Sequence, residues 1–296
     1  MKKSITILLI LTVIVAGLSA GGQQEGTTIR VAAQNVNETV ILGHMAKILI
    51  EENTDLDSEV NTEFSASAVL HQAMVGDEID LYPTWTGTQL TGILRYEGPN
   101  LAPEETYKRV KSGFEENFGM TWSEPFGFNN TYVLAVRKET AEEYNLEKAS
   151  DLAPYAEDWI LAGDENYDTR PDAHPGWSEH YGIDFKKVLP MQYGLIYRAI
   201  DGKEVDVASA YATDSRIAKL NLVMLEDDKN FFPDYSGAYV VGERVQQEYP
   251  QVLEVLNTLG GQIDTATMSA LNLEYDNGED PEIIARRFLE AQGFIE

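Results

Sequence analysis

The chain has no cysteine among its 296 residues. No disulfide can form, so an exported fold of this sequence relies on packing alone for its stability. A bacterial lipoprotein carries its lipid on a cysteine near residue 20, so that anchor is excluded as well. Basic side chains are scarce: 22 Lys and Arg stand against 49 Asp and Glu, a formal net charge of −27. Nucleic acid and anionic membrane both bind through Lys and Arg, so this balance argues against either as a partner. It suits a cationic ligand or saline surroundings, and its plainest reading is the solubility of an exported protein. Internal repeats, low-complexity tracts, a P-loop, an HExxH helix and a dinucleotide-binding glycine fingerprint are all missing, which removes the chemistries those motifs carry. His44, His71, His174 and His180 have no metal-ligand spacing and read as structural or surface residues. Neither a metal nor a cofactor is expected.

What is present begins with a leader. Lys2 and Lys3 form a positive start, Ile5 to Val15 is an apolar run, and Leu18-Ser19-Ala20 ends in small residues. Residues 1–20 therefore read as a secretory signal peptide, too short with those flanks for a stable membrane span. Gly17-Leu18-Ser19-Ala20-Gly21 matches the nucleophile-elbow pattern by accident, in a segment that export removes. Gly21 to Gly26 is a polar linker. A soluble, exported, periplasmic protein is expected, with enough chain beyond the linker for two compact α/β domains.

Ile29 to Ala33 reads as a strand. Gln34 to Asn37 forms a loop, with Asn37 as N-cap of a helix whose Val40, Ile41, Met45, Ile48 and Leu49 share a face. A helix over 66–75 ends at Gly76. The strand Ile79 to Tyr82 follows, and Pro83 and Gly87 break it into a turn carrying Trp85, three threonines and Gln89. Such alternation predicts a mainly parallel sheet, and ligand crevices open at the carboxyl ends of such strands. Gln34 and Trp85 both sit at these ends. Taken alone, the turn is an ordinary one with a Trp packed on the core.

Three more aromatics stand in similar settings: Tyr132 entering the strand 131–136, Tyr211 after the strand 205–208, and Tyr235 before the strand 239–241. Helical stretches are expected over 91–119, 138–152 and 243–259, a further strand over 222–225, and a last helix capped by Asp280, with Pro281 in its first turn and Gly293 as its stop. Residues 164–176 read as a long loop. Asp164, Asn166 and Asp168 imitate a calcium loop there, but Thr169 stands where glycine is needed and Pro175 where the bidentate Glu belongs. Arg170, the one cation among the acids of that loop, is by itself a surface ion pair.

The runs Gln34 to Gly43, Gly76 to Thr88, Gly127 to Val136, Arg170 to Gly176, Asp206 to Ile217 and Leu225 to Tyr235 resemble the substrate-binding proteins of bacterial osmoprotectant ABC transporters. Those proteins bind glycine betaine, carnitine or choline. The runs together span nearly the whole mature chain; none is specific alone. The resemblance implies an α/β, two-lobed periplasmic-binding-protein fold that closes on a hinge. Each lobe would be a mainly parallel sheet flanked by helices, with the ligand in the interlobe cleft. Residues 27–130 plus 237–296 would form the first lobe and 131–236 the second.

The resemblance also implies an aromatic cage of Trp85, Tyr132, Tyr211 and Tyr235. Its polar end would be Gln34, Thr88 and Arg170, with Asn130 beside Tyr132. The first wall is commonly Tyr in relatives; Trp here keeps the cage and alters its size. A non-enzymatic protein is implied, monomeric when soluble, whose partners are a small quaternary ammonium ligand and an ABC permease with its ATPase. The physics agrees. A trimethylammonium group has no N–H, so hydrogen bonds cannot hold it, whereas ring faces attract its charge and bury its methyls. The carboxylate of a betaine wants Arg and neutral donors. A sensory adaptor would use the same cleft for the same ligand. A secreted hydrolase would need a nucleophile–base pair, and the mature chain has no motif for one.

Overall fold

The computed structural model describes residues 28–169 and 173–296. The expected signal peptide and Arg170 lie outside these residues. In chain order the first part holds β1 (Thr28–Gln34), α1 (Asn37–Asn53), β2 (Asp57–Phe64), α2 (Ser67–Val75), β3 (Leu81–Trp85), α3 (Thr86–Gly92), α4 (Pro103–Phe118) and β4 (Thr121–Trp122). The middle part holds β5 (Tyr132–Arg137), α5 (Lys138–Tyr144), β6 (Ile160–Gly163), α6 (Glu165–Thr169), α7 (His174–Tyr181), β7 (Lys187–Pro190), α8 (Tyr193–Asp201), β8 (Val207–Tyr211), α9 (Ser215–Lys219) and β9 (Leu222–Leu225). The chain then returns through β10 (Gly237–Val241), α10 (Glu243–Glu248), α11 (Pro250–Asn257), α12 (Thr265–Asp276) and α13 (Pro281–Gln292).

Two separate sheets result, ordered β2-β1-β3-β10-β4 and β7-β6-β8-β5-β9. In the first, β10 runs antiparallel to both of its neighbours while β2, β1 and β3 are parallel. In the second, β5 is the reversed strand among otherwise parallel ones. Each lobe is thus a mainly parallel sheet with one strand inserted backwards, and the expected two-lobed α/β fold holds. The chain crosses between the lobes twice, and the two passages lie side by side, bridged at Asn129 and Ser236.

Burial follows the period of two along the strands. Tyr239 and Val241 of β10 join the core that α1, α11 and α13 cover, while Ala238 and Val240 join the core on the other face, with Tyr82, Phe114 and Trp122. Helix α1 is buried on most of its circumference because it lies between the sheet and α11 to α13, as expected of a helix apolar nearly all round.

Several sequence expectations change in detail. Asn37 is the first residue of α1 and not its cap; Val36 takes that place, and the Asn37 amide donates to Asp276 at 2.6 Å. Pro83 does not break the strand. β3 runs through it to Trp85, and the ladder to β1 reaches only Leu81, so the missing N–H breaks no ladder bond. The edge strand β2 escaped notice because its polar sequence, Asp57 to Glu63, lacks an apolar face that stands out; charged residues are common on edges. The 91–119 stretch divides into α3, a loop and α4, and Pro250 divides 243–259 into α10 and α11. The 164–176 loop carries α6 and the start of α7. Asp280 caps α13 and Gly293 ends it in the left-handed conformation, as expected.

The start of β3 is tied to both ends of the first lobe by Asp80, which is 2% exposed. Arg30 reaches it through Nε at 3.0 Å and Nη2 at 2.9 Å, and Arg244 through Nε at 3.0 Å and Nη2 at 2.7 Å. Burial opposes the charge, but the two guanidiniums outweigh it and hold the carboxyl below its ordinary value. The depressed value means that the stabilisation is complete above the unfolded carboxylate pKa of about 3.9 and is lost as pH falls through the folded value. Asp80→Asn is expected to cost on the order of 3 kcal/mol near neutral pH, the low end for a broken buried pair because both arginines are partly exposed. Urea unfolding checks this: the gap between wild type and variant should narrow in strong acid, and a gap that is independent of pH would show that Asp80 stabilises by shape alone.

Candidate functional site

Where the two lobes meet lies a cavity of about 740 Å³. Topology explains which residues reach it. Gln34, Trp85 and Tyr211 are the last residues of β1, β3 and β8. Tyr132 is the first residue of the reversed β5, and Tyr235 lies just before the reversed β10. A reversed strand begins where its parallel neighbours end, so all five arrive at one level. The sheet register pairs Tyr132 with Tyr211 across neighbouring strands.

The rings converge accordingly. Tyr132 and Tyr211 have centroids 4.9 Å apart, tilted by 34°, and Tyr132 meets Tyr235 edge-on at 6.1 Å. Trp85 packs against the cores of both lobes. Gly87, in the first turn of α3, makes room for Tyr235. A Cβ there would lie 2.5 Å from the Asp234 carbonyl oxygen and 2.9 Å from the Tyr235 ring. The same turn is stitched to the returning passage by Thr86, whose hydroxyl donates to Asp234 Oδ2 at 2.8 Å.

Of the eight residues that the sequence resemblance singles out, Gln34, Trp85, Thr88, Asn130, Tyr132, Tyr211 and Tyr235 all line this cavity. Arg170 lies outside the described residues. The Gln34 amide donates to the Ser65 carbonyl and accepts from the Ser67 hydroxyl, both at 3.2 Å, which presents it beside the first turn of α2. Among the described residues no group of His, Asp and Glu could hold a metal ion.

The cavity wall also contains polar residues that sequence reasoning missed. Asp164 follows β6 directly and accepts from the Tyr211 hydroxyl at 3.1 Å. Its place just past a parallel strand was the available signal, obscured by the calcium-loop pattern. Arg216 pairs with Asp214 at 2.6 Å and lies over the rings of Tyr193 and Tyr197, 4.7 and 4.3 Å from their centroids. Glu38 is 2% exposed; burial pushes its carboxyl up, against hydrogen bonds from Thr213, Trp85, Asn272 and Asn130. No local pattern marks Glu38, because its partners come from four distant segments. Burial, with the Tyr132 and Asp164 beside it, likewise pushes the Tyr211 hydroxyl well up, so that it stays a neutral donor.

The lobes also touch beside the cavity. Asn272 of α12 donates to the Thr213 carbonyl at 3.1 Å, and Ser215 of α9 donates to Asp276 at 2.9 Å. Away from the cavity lining, the Asn100 amide donates to the Phe231 carbonyl. What the site can do chemically is surround a small ligand with ring faces and neutral donors drawn from both lobes.

Comparison with known proteins agrees with this geometry. Residues 27–291 match the family described as the substrate binding domain of ABC-type glycine betaine transport system. The carnitine transport binding protein OpuCC of Listeria monocytogenes is 39% identical over 279 residues, covering 93% of this chain and 90% of that protein. A glycine-betaine-binding protein of Pseudomonas aeruginosa is 30% identical over 93% of this chain and 91% of its own length. A crystal structure described as a glycine betaine/carnitine/choline ABC transporter superposes with a TM-score of 0.84 at 34% identity, covering 90% of this chain and all of that one. The chain belongs to the family of substrate-binding domains of ABC-type glycine betaine transport systems.

Proposed function

We propose that this protein captures a quaternary-ammonium osmolyte of the betaine type outside the cytoplasmic membrane and delivers it to the permease of an ABC importer. The observation that carries this reading is the convergence of Trp85, Tyr132, Tyr211 and Tyr235 on one cavity from both lobes. Ring faces are what a permanently charged group without N–H bonds requires, at roughly 0.5–2 kcal/mol for each good contact. Gln34, Thr88 and Asn130 would meet the other end of the ligand, together with Arg170, whose part rests on the family resemblance. The lobes would divide at residues 130–131 and 236–237, beside the Asn129–Ser236 bridge, and close over the ligand as a hinge. Export to the periplasm, a monomeric state, the absence of catalysis and delivery to the permease with its ATPase follow the same reading. Calorimetry with glycine betaine, carnitine, choline and proline betaine tests it; no binding of any of the four would overturn it.

Tyr211→Ala is expected to weaken betaine binding more than Tyr211→Phe. The alanine loses the ring face, worth about 1–2 kcal/mol or roughly five- to thirtyfold in affinity. The phenylalanine loses only the hydroxyl that donates to Asp164. Titration of the two variants decides, and equal losses would make the hydroxyl, not the ring, the anchor.

Zwitterionic betaines are expected to bind tighter than choline. Both ligands present the same trimethylammonium, so the cage and its acidic neighbours treat them alike. The difference lies at the other end: with Arg170 there, as the family resemblance implies, choline would leave its guanidinium desolvated without a counter-charge, at a cost on the order of 1–3 kcal/mol. That corresponds to roughly five- to 150-fold discrimination. The acidity of the whole chain favours choline, but salt screens that field over about 8 Å. The measurement is the betaine-to-choline affinity ratio in the wild type and in Arg170→Ala. The ratio should fall sharply in the variant, and a ratio that stays put would remove Arg170 from the site.

A further inference from the structure

One group in the cavity wall has no part in the cage-and-polar-end arrangement. Glu38, the second residue of α1, lines the cavity yet is 2% exposed. Its Oε1 accepts from the Trp85 indole Nε1 at 2.6 Å and from Asn130 Nδ2 at 3.2 Å; its Oε2 lies 3.5 Å from Asn272 Nδ2. The Thr213 side chain hydrogen-bonds to it as well. These partners come from the end of β3, the passage into the second lobe, α12 and the segment after β8. Indole and amide N–H groups suit an ionised carboxylate, which only accepts.

A buried carboxylate is costly unless a positive charge answers it. Among the described residues no Arg, Lys or His forms a salt bridge with Glu38. Arg216, the one cation of the cavity wall among the described residues, is engaged by both oxygens of Asp214. The remaining wall carboxylates, Asp164 and Asp276, take hydroxyl and amide donors of their own. The bond from Trp85 matters twice. It sets the plane of the indole, and a donor held by a charged acceptor leaves more electron density on its ring, which strengthens the face toward a cation.

We propose that Glu38 is a positioning residue of the ligand site that reads charge. Through the indole N–H it aims the face of Trp85, and its carboxylate supplies the negative charge that a quaternary ammonium in the cage answers. This rests on the cage reading above and adds to it the source of discrimination between a cation and a neutral body of the same shape.

The test compares glycine betaine with tert-butylacetate, which replaces the charged nitrogen by carbon and keeps the shape and the carboxylate. Affinities are measured by calorimetry at mildly alkaline pH for the wild type, Glu38→Gln and Glu38→Asp. The wild type is expected to prefer betaine, Glu38→Gln to shrink that preference at least tenfold, and Glu38→Asp to retain it within about threefold while both ligands weaken. A merely structural role predicts equal weakening of both ligands in Glu38→Gln, with the preference unchanged, and that result overturns the proposal. Loss of the preference in Glu38→Asp also overturns it, since the charge is still there. If the amide variant does not fold, Glu38→Ala replaces it with the same expectation. Failure of the wild type to bind betaine would sink the cage reading itself, an outcome distinct from an unchanged preference.

Discussion

Strands β5 and β10 run against their neighbours, so the residues that enter them lie level with the residues that leave the parallel strands. That reversal is a constraint on everything around the cavity. It places Tyr132 opposite Tyr211 in the second lobe and brings Tyr235 beside the end of β3 in the first. It also makes both interlobe passages adjacent, since one leads into β5 and the other into β10. The rings are then carried on strand ends packed on the flanking cores, and the lobes are joined by two adjacent passages together with the Asn272–Thr213 and Ser215–Asp276 contacts beside the cavity.

The electrostatics of the first lobe divide into two different uses of a buried carboxylate. Asp80 is answered by Arg30 and Arg244 and serves the fold. Glu38, buried to the same degree, is met by neutral donors alone among the described residues. The first arrangement is complete in itself. The second has no positive charge to answer it among the described residues and stands next to a ring face, so in the proposal above its charge is answered by a ligand that carries a positive one. The overall acidity of the chain is a separate matter: it acts at a distance through salt, whereas these contacts act within a hydrogen bond's reach.

Glycine and threonine in the first turn of α3 show how small residues serve the site without touching a ligand. Thr86 and Gly87 let the returning passage pack against that turn, one by a hydrogen bond and the other by the absence of a side chain. The sequence reading took Gly87 for a breaker of the strand. It is instead the position at which two segments nearly 150 residues apart press together.

Much of the fold was legible because burial leaves periodic traces. Most strands and the capped final helix could be placed from apolar runs and turn residues, although the strands expected over 79–82 and 205–208 run on to Trp85 and Tyr211, and seven of the candidate site residues do share one cavity. The limits were equally physical. Pro83 was read as a break because its tolerance depends on the ladder beside it ending at Leu81, which no local pattern records. β2 carries the weak pattern of an edge. Glu38 could not be found at all: a glutamate in the first turn of a helix looks like an ordinary surface residue, and only Asn272, from 234 residues away, Asn130 and Trp85 turn it into a buried one. The sequence by itself determined the elements and the aromatic residues at their ends, because those depend on short-range sterics and hydrophobic period. Which of those ends face one another, and which charge is enclosed between them, depended on long-range packing, and only the tertiary structure decided it.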